Sequence, residues 1–183
     1  MGKSSIAETL LEELPDATAV DVDEEMVSIS RKEGWFPAID SPDPPVRRLY
    51  RHLVPLPFAS WEEAVIQRIL TAEQNREQTG PCIIATGGGV CDNRAALNLL
   101  EGARPVVYVY EDPLVLYGRI RRGGIPAFLK QDNPRSAFIE LAERRDGLYR
   151  EFADHRVDVS GLTIRDAARH VLNTVRKGKY GWQ

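Results

Sequence analysis

The chain reads as an α/β protein: a parallel sheet flanked by helices on both sides. Three observations predict it. Short strand-like runs alternate with helical ones along the sequence. Two of those runs, Cys82–Ala85 and Pro105–Tyr110, are apolar on both faces, as strands covered on both sides must be. Acidic and glycine-rich segments follow strand candidates, at the ends where open α/β sheets bind ligands. With 183 residues and 43% hydrophobic content the chain has the size of one domain with a substantial core, so a single domain over 1–183 is expected.

Taken in order, Ser4 to Leu14 places Ile6, Leu10, Leu11 and Leu14 on one helical face, and Pro15 ends it. Thr18 to Val22 is a short strand. The acidic Asp23-Glu24-Glu25 opens a helix to Lys32, stopped by Gly34. Residues 36–57 are Pro-rich and carry Arg47, Arg48 and Arg51, which predicts an irregular excursion with one helical turn near Val46 to Leu53. Trp61 to Glu77 has helical spacing through Val65, Ile66, Ile69 and Leu70, and Gly80-Pro81 breaks the chain before the strand at Cys82. Asn93 to Leu100 is a short helix. Pro113 to Arg122 is another, basic in its last turn. A helix from Asn133 or Pro134 to about Phe152, a strand Arg156 to Val159 and an amphipathic helix Ile164 to Arg176 complete the chain.

Charge and composition exclude several classes. Lys plus Arg number 24 against 27 Asp plus Glu, a net charge of -3, so no global basic field points to nucleic acid or an anionic membrane. The longest apolar run, Val106 to Tyr110, is far shorter than a membrane span, and no apolar signal core opens the chain. Met1-Gly2 does not fit N-myristoylation, because Ile6 stands where Ser or Thr is required. Cys82 and Cys91 have no metal-ligand spacing and are read as packing residues of a reducing, cytoplasmic environment.

Four segments carry candidate chemistry. Gly2-Lys3-Ser4 matches the last three positions of a phosphate-binding loop, G-x-x-x-x-G-K-[ST], without its first glycine or leading strand. Such a loop aims backbone N–H groups and a helix N-terminus at phosphate, with lysine adding charge and a hydroxyl ligating magnesium. Alone, the tripeptide is equally an ordinary helix start with serine as cap. Asp21-Val22-Asp23 ends a strand, and alternation puts both carboxylates on one side, for work near magnesium, as a general base or on a substrate hydroxyl; a solvated turn is the plainer alternative. Thr86-Gly87-Gly88-Gly89 follows an apolar strand, where glycines permit unusual backbone angles and close approach of a ligand. Arg119, Arg121 and Arg122 before Gly123-Gly124-Ile125-Pro126 read as a basic loop able to close over phosphates, or as a basic helix end. His52, His155 and His170 show no ligand or nucleophile spacing and receive no role.

Together, Gly2-Lys3-Ser4, Asp21-x-Asp23, Phe58-x-x-x-Glu62, Ala85-Thr86-Gly87-Gly88-Gly89, Arg119 and Arg145-x-x-Leu148-Tyr149-x-x-x-Ala153-Asp154 resemble, in that order, the shikimate kinase family across nearly the whole chain. The resemblance implies a three-layer P-loop kinase fold with a five-stranded parallel sheet and a lid at about 121–133, with residues 36–57 an insertion in the substrate-binding region. It implies transfer of the ATP γ-phosphoryl group to the 3-hydroxyl of shikimate, a step of aromatic amino acid biosynthesis, with ATP and Mg2+ as cofactors. Gly2, Lys3, Ser4 and Ser5 form the nucleotide loop in this reading. Lys3 stabilises the transferring phosphoryl group, Ser4 and Asp21 serve the metal, and Asp23 binds substrate hydroxyls and orients or deprotonates the nucleophile. Gly87, Gly88 and Gly89 line the shikimate pocket, Arg145 pairs with the substrate carboxylate, and Arg119 lies by the nucleotide. A monomer is expected, binding shikimate or a related hydroxy acid and ATP, with no nucleic-acid or membrane partner.

Three departures stand out. Ala59 replaces an arginine that shares the substrate carboxylate in the family, a loss on the order of 2–4 kcal/mol of binding unless Arg47, Arg48 or Arg51 substitutes. Ile125-Pro126 replaces the Arg-Pro of the lid. The expected first strand is missing from the middle of the sheet, which reads either as an upstream start or as a degraded copy. A kinase for another small polyol or sugar acid, and a non-catalytic nucleotide-binding relic, are the alternatives.

Overall fold

In the computed structural model, residues 2–38, 43–53, 55–77, 80–122, 129 and 132–178 are described. Strands and helices alternate among them as α1 Lys3–Glu13, β1 Thr18–Asp21, α2 Val22–Lys32, α3 Pro45–Leu53, α4 Pro55–Gln74, β2 Cys82–Ala85, α5 Arg94–Leu100, β3 Val107–Tyr110, α6 Pro113–Arg122, α7 Pro134–Phe152, β4 His155–Asp158 and α8 Ile164–Lys177. The strands form two parallel pairs. β1 runs beside β2 with Thr18 opposite Cys82 and Asp21 opposite Ala85, and β3 beside β4 with Val107 opposite His155 and Tyr110 opposite Asp158. The fold class is the expected α/β one, with sheets of two strands each rather than a single sheet of five among the described residues. No described strand precedes α1.

The chain divides into two compact units, one of Lys3–Ala103 and one of Met1–Gly2 with Arg104–Gln183. In the first, helices bury what a two-stranded sheet cannot cover by itself. α1 buries Ile6, Ala7 and Leu10, and α2 buries Val22, Met26, Val27 and Ile29. Leu49 of α3 and Val65, Ile66 and Ile69 of α4 join them. At the start of the strands Thr18 N–H donates to the Pro81 carbonyl at 2.9 Å, and Arg76 donates to Thr18 Oγ1 and the Gly80 carbonyl.

Two elements exceed their sequence-based bounds. α3 is a nine-residue helix rather than one turn, and α4 starts at Pro55 rather than Trp61. Pro55 and Pro57 both fall in the first turn of α4, where the missing N–H groups have no intrahelical acceptor to lose.

In the second unit, α8 buries Ala167, Ala168, Val171, Leu172 and Val175, the 3.6-residue stripe expected of it, and Val157 of β4 is 1% exposed. Ile120, Leu129 and Phe138 form a further cluster with Leu116, Tyr117, Ala137 and Ala142 packed against it. Asn133 caps α7 by accepting from Ser136 N–H at 3.1 Å ahead of Pro134, and Thr163 caps α8 by accepting from Asp166 N–H at 3.2 Å. Tyr149 of α7 stacks on Tyr108 of β3 with ring centroids 4.8 Å apart. Burial first, then the hydrogen bond to Asp146, pushes the Tyr108 phenol well above its ordinary value, so it remains a neutral donor. Positions 123–128, 130 and 131, which hold Ile125-Pro126 and most of the expected lid, lie outside the described residues.

α8 ends against His155: a Cβ built on Gly178 would lie 2.4 Å from His155 Cε1. Gly178→Ala is therefore expected to destabilise the fold by about 1–3 kcal/mol through overpacking. In urea unfolding its cost should shrink when His155→Ala is present, since the second change removes the ring that the methyl meets.

Candidate active site

The first unit gathers its polar side chains at the C-terminal ends of β1 and β2. Asp21 is the last residue of β1 and the N-cap of α2. Its Oδ1 accepts from Glu24 N–H at 3.2 Å, and its Oδ2 accepts from the Ser4 hydroxyl in the first turn of α1. One carboxylate thus joins the starts of two helices to the end of a strand. Lys3 is the first residue of α1. Gly2 precedes it with φ of 100°, a left-handed conformation that glycine adopts at no steric cost.

Asp23 sits one residue inside α2. The strand ends at Asp21, so helix geometry, not the expected period-two alternation, sets its direction. Burial raises the Asp23 carboxyl above the ordinary carboxylate range, the Asp21 charge adds to the rise, and Lys3 works against it. A carboxylate held in this way is a stronger proton acceptor than a solvated one, as a base acting on a hydroxyl requires.

The three glycines follow β2 after a single residue, Thr86. A Cβ on Gly87 would lie 2.9 Å from Asp23 Oδ1 and 3.4 Å from Glu62 Oε1, so close packing demands glycine here. Gly88 is exposed, and a Cβ there would be 3.8 Å from Lys3 Nζ. Positive φ is confined, among the described residues, to Gly2, Gly34 and Gly161, so at Gly87 proximity rather than an unusual backbone angle favours glycine. Gly89 leads into a 3-10 turn at Val90–Asp92 that the sequence did not predict. Lys3, Ser4, Asp21, Asp23, Gly87 and Gly88 are therefore neighbours, whereas Ser5 is exposed on α1.

Two residues join this group without having been assigned a role from sequence. Glu62 of α4 is 5% exposed, and its Oε2 accepts from Asn93 Nδ2 at 3.0 Å. The same Nδ2 donates to the Ala59 carbonyl at 2.8 Å, while Asn93 Oδ1 caps α5 by accepting from Ala96 N–H at 3.3 Å. The signal was present: position 62 shares a helical face with Val65, Ile66 and Ile69, and an acid on an apolar face is a buried acid.

The second unit holds the other two candidates. Arg119, in the last turn of α6, donates from Nη2 to Glu111 Oε2 at 2.8 Å. Arg145 is half-buried on α7, one turn before Tyr149.

A lysine and a serine opening a helix, an aspartate pair at a strand end and a glycine loop on the next strand define the class of P-loop kinases, and the solved structures agree. The shikimate kinase from Acinetobacter baumannii in complex with shikimate superposes with a TM-score of 0.73 at 23% identity, covering 95% of this chain and 86% of that one. A tunicamycin resistance protein of Deinococcus radiodurans superposes with a TM-score of 0.55 at 21% identity, covering 93% and 89%. The shikimate kinase family model matches residues 52–176, and the chain belongs to the shikimate kinase family. It is 31% identical over 120 residues to the shikimate kinase of Vibrio parahaemolyticus, covering 66% of each chain. It is 34% identical over 94 residues to that of Halorhodospira halophila, covering 51% of this chain and 53% of the relative. The chain thus spans between half and two thirds of the length of these curated relatives. Lys3, Ser4, Asp21 and Asp23 precede the matched stretch, so their grouping is known from the geometry.

Gly87→Ala is expected to displace the Asp23 carboxylate and lower kcat/KM at least about tenfold, read by steady-state kinetics. Asp23→Asn should raise Tm near neutral pH. The native carboxyl is raised in the folded state, so folding is favoured by its protonated form and opposed by its charged one. The gain of the amide variant over wild type should therefore be full above the raised value and vanish below the unfolded value near 3.8, a trend that thermal melts from pH 3 to 8 would follow.

Proposed function

We propose that this protein transfers the γ-phosphoryl group of ATP to the 3-hydroxyl of shikimate. The observation that carries the reading is the meeting of Lys3, the Ser4–Asp21 pair and the half-buried Asp23 at the triglycine loop. In this mechanism Asp23 takes the hydroxyl proton as the substrate oxygen bonds to the γ-phosphorus and the bond to the β-phosphate oxygen breaks, releasing ADP. Lys3 meets the charge that builds on the transferring group. Gly87 lets the sugar-like ring approach Asp23 closely. Arg145 takes the substrate carboxylate, and Arg119 the nucleotide.

Magnesium fits the donor set. The Ser4 hydroxyl and the Asp21 carboxylate are oxygen ligands already held together, and Mg2+ characteristically binds one or two protein oxygens with waters and phosphates. Among the described residues no group of three or more His, Cys, Asp or Glu could hold a metal. When bound it neutralises phosphate charge. The reading carries with it a monomer working in the cytoplasm. Cys82 and Cys91 are free, and no described helix is long and apolar enough to cross a membrane.

One observation favours a second substrate class. Position 59 offers only its backbone carbonyl, taken by Asn93, where the family pattern has an arginine. Of the α3 arginines, Arg51 pairs with Asp43 at 2.5 Å and Arg48 lies over the Phe36 ring, 5.2 Å from its centroid. A small polyol or sugar acid with a weaker demand for a carboxylate partner fits this pocket.

Shikimate-dependent ADP release in the presence of magnesium tests the proposal. Lys3→Ala and Asp23→Asn are each expected to lower kcat/KM by about 10²-fold or more. Turnover with other polyols and none with shikimate moves the assignment to the second class, and ATP binding without turnover on any acceptor makes the chain a non-catalytic nucleotide binder.

A further inference from the structure

The second unit keeps a costly carboxylate that the steps above do not use. Glu111 follows the last residue of β3 and is 7% exposed. Its Oε2 accepts from Arg119, while its Oε1 is buried with no hydrogen-bond partner among the described residues. A buried acid with one oxygen unanswered carries a desolvation cost, and buried ion pairs are often replaced by neutral residues of similar shape without loss of stability.

The nearby backbone does not need it. Asp112 immediately precedes α6, and its Oδ1 accepts from Leu114 N–H at 2.7 Å and Val115 N–H at 3.3 Å. The chain after β4 is tied to β3 by Val159 N–H donating to the Tyr110 carbonyl at 2.9 Å, and Asp112 N–H donates to Ser160 Oγ at 3.2 Å. Helix start and strand end are thus satisfied without Glu111.

What Glu111 holds is Arg119. The arginine is a long side chain, 42% exposed, two turns into a surface helix, and left alone it would sample many rotamers. The ion pair draws its guanidinium back to the C-terminal end of β3, the end at which open α/β sheets receive ligands. The bond engages one nitrogen of the fork and leaves the exposed plane of the guanidinium to meet a charged or aromatic group.

We propose that Glu111 is a positioning residue for nucleotide binding: it fixes Arg119 at the end of β3, ready for a nucleoside triphosphate. The inference rests on the kinase reading. It differs from it in assigning to a buried acid the ordering that Arg119 cannot supply alone.

The test is titration calorimetry of magnesium-ATP against the full chain, with steady-state kinetics beside it, for wild type, Glu111→Ala, Glu111→Gln, Arg119→Ala and the double Ala variant. Glu111→Ala should weaken ATP binding about tenfold and raise KM for ATP in proportion, with KM for shikimate within about twofold. Glu111→Gln keeps an oxygen that can accept from Arg119 and should recover to within about threefold of wild type, and it also serves where the alanine variant fails to fold. The double variant should bind no more weakly than Arg119→Ala alone, because Glu111 acts through that side chain. Wild-type affinity in both Glu111 variants, or losses that multiply in the double variant, would overturn the inference and leave the kinase reading standing. Absence of ATP binding by the wild type would overturn the kinase reading and this inference with it.

Discussion

The first unit is organised around the two oxygens of Asp21. One ends β1 and starts α2 by capping it; the other holds the Ser4 hydroxyl and so fixes where α1 begins. Since Lys3 precedes Ser4 and Asp23 follows Asp21 by two residues, the carboxylate that caps α2 also helps set the spacing of Lys3 and Asp23 through its second oxygen. A cap is worth about 1 kcal/mol on average, modest beside the core, yet its loss here would release three elements at once. The Ser4–Asp21 contact, proposed above to serve a metal, is one that folding has already made.

The core obeys the same economy of short elements. A four-residue strand paired with one neighbour is marginal by itself, so the order of each unit depends on helices. This explains why α2, α4 and α8 contribute so many of the fully buried side chains, while every residue of β1 and β3 is only partly buried. Burial at roughly 1.5–3 kcal/mol for each large apolar side chain makes Met26, Leu49 and Ile66 the counterweight to the charged groups beside them.

Much of this was legible in the sequence. Apolar periodicity located α1, α2, α4 and α8 because each has one buried stripe, and β2 was legible because Cys82-Ile83-Ile84-Ala85 is bounded by Gly80-Pro81 and the glycines. α3 was underestimated because one residue, Leu49, is its whole buried contribution, so the pattern had almost no apolar period to show. The start of α4 was missed because proline reads as a breaker unless its place in the first turn is known. At the site, Lys3, Ser4, Asp21 and the glycines were found through motif order. The closeness of Glu62 and Asn93 was not, since a hydrogen bond between residues 31 apart leaves no local pattern. The division into two strand pairs depends on long-range pairing that the periodicity of single segments does not encode.

The crowding of acids also constrains how a ligand can lie against the triglycine loop. Beside Gly87 stand Asp23 and the buried Glu62, and Lys3 stands beside the neighbouring Gly88. A ligand carboxylate placed there would meet carboxyl oxygens in a half-buried setting, where a charge without a donor is costly. Hydroxyl groups meet the same oxygens as donors and are held by them. The acceptor oxygens beside Gly87 therefore suit the hydroxyl-bearing edge of a ligand better than an acid group. Ala59 reinforces the choice: without a guanidinium on this turn of α4, Asn93 bonds both the Ala59 carbonyl and Glu62, and the wall facing the glycines stays acidic.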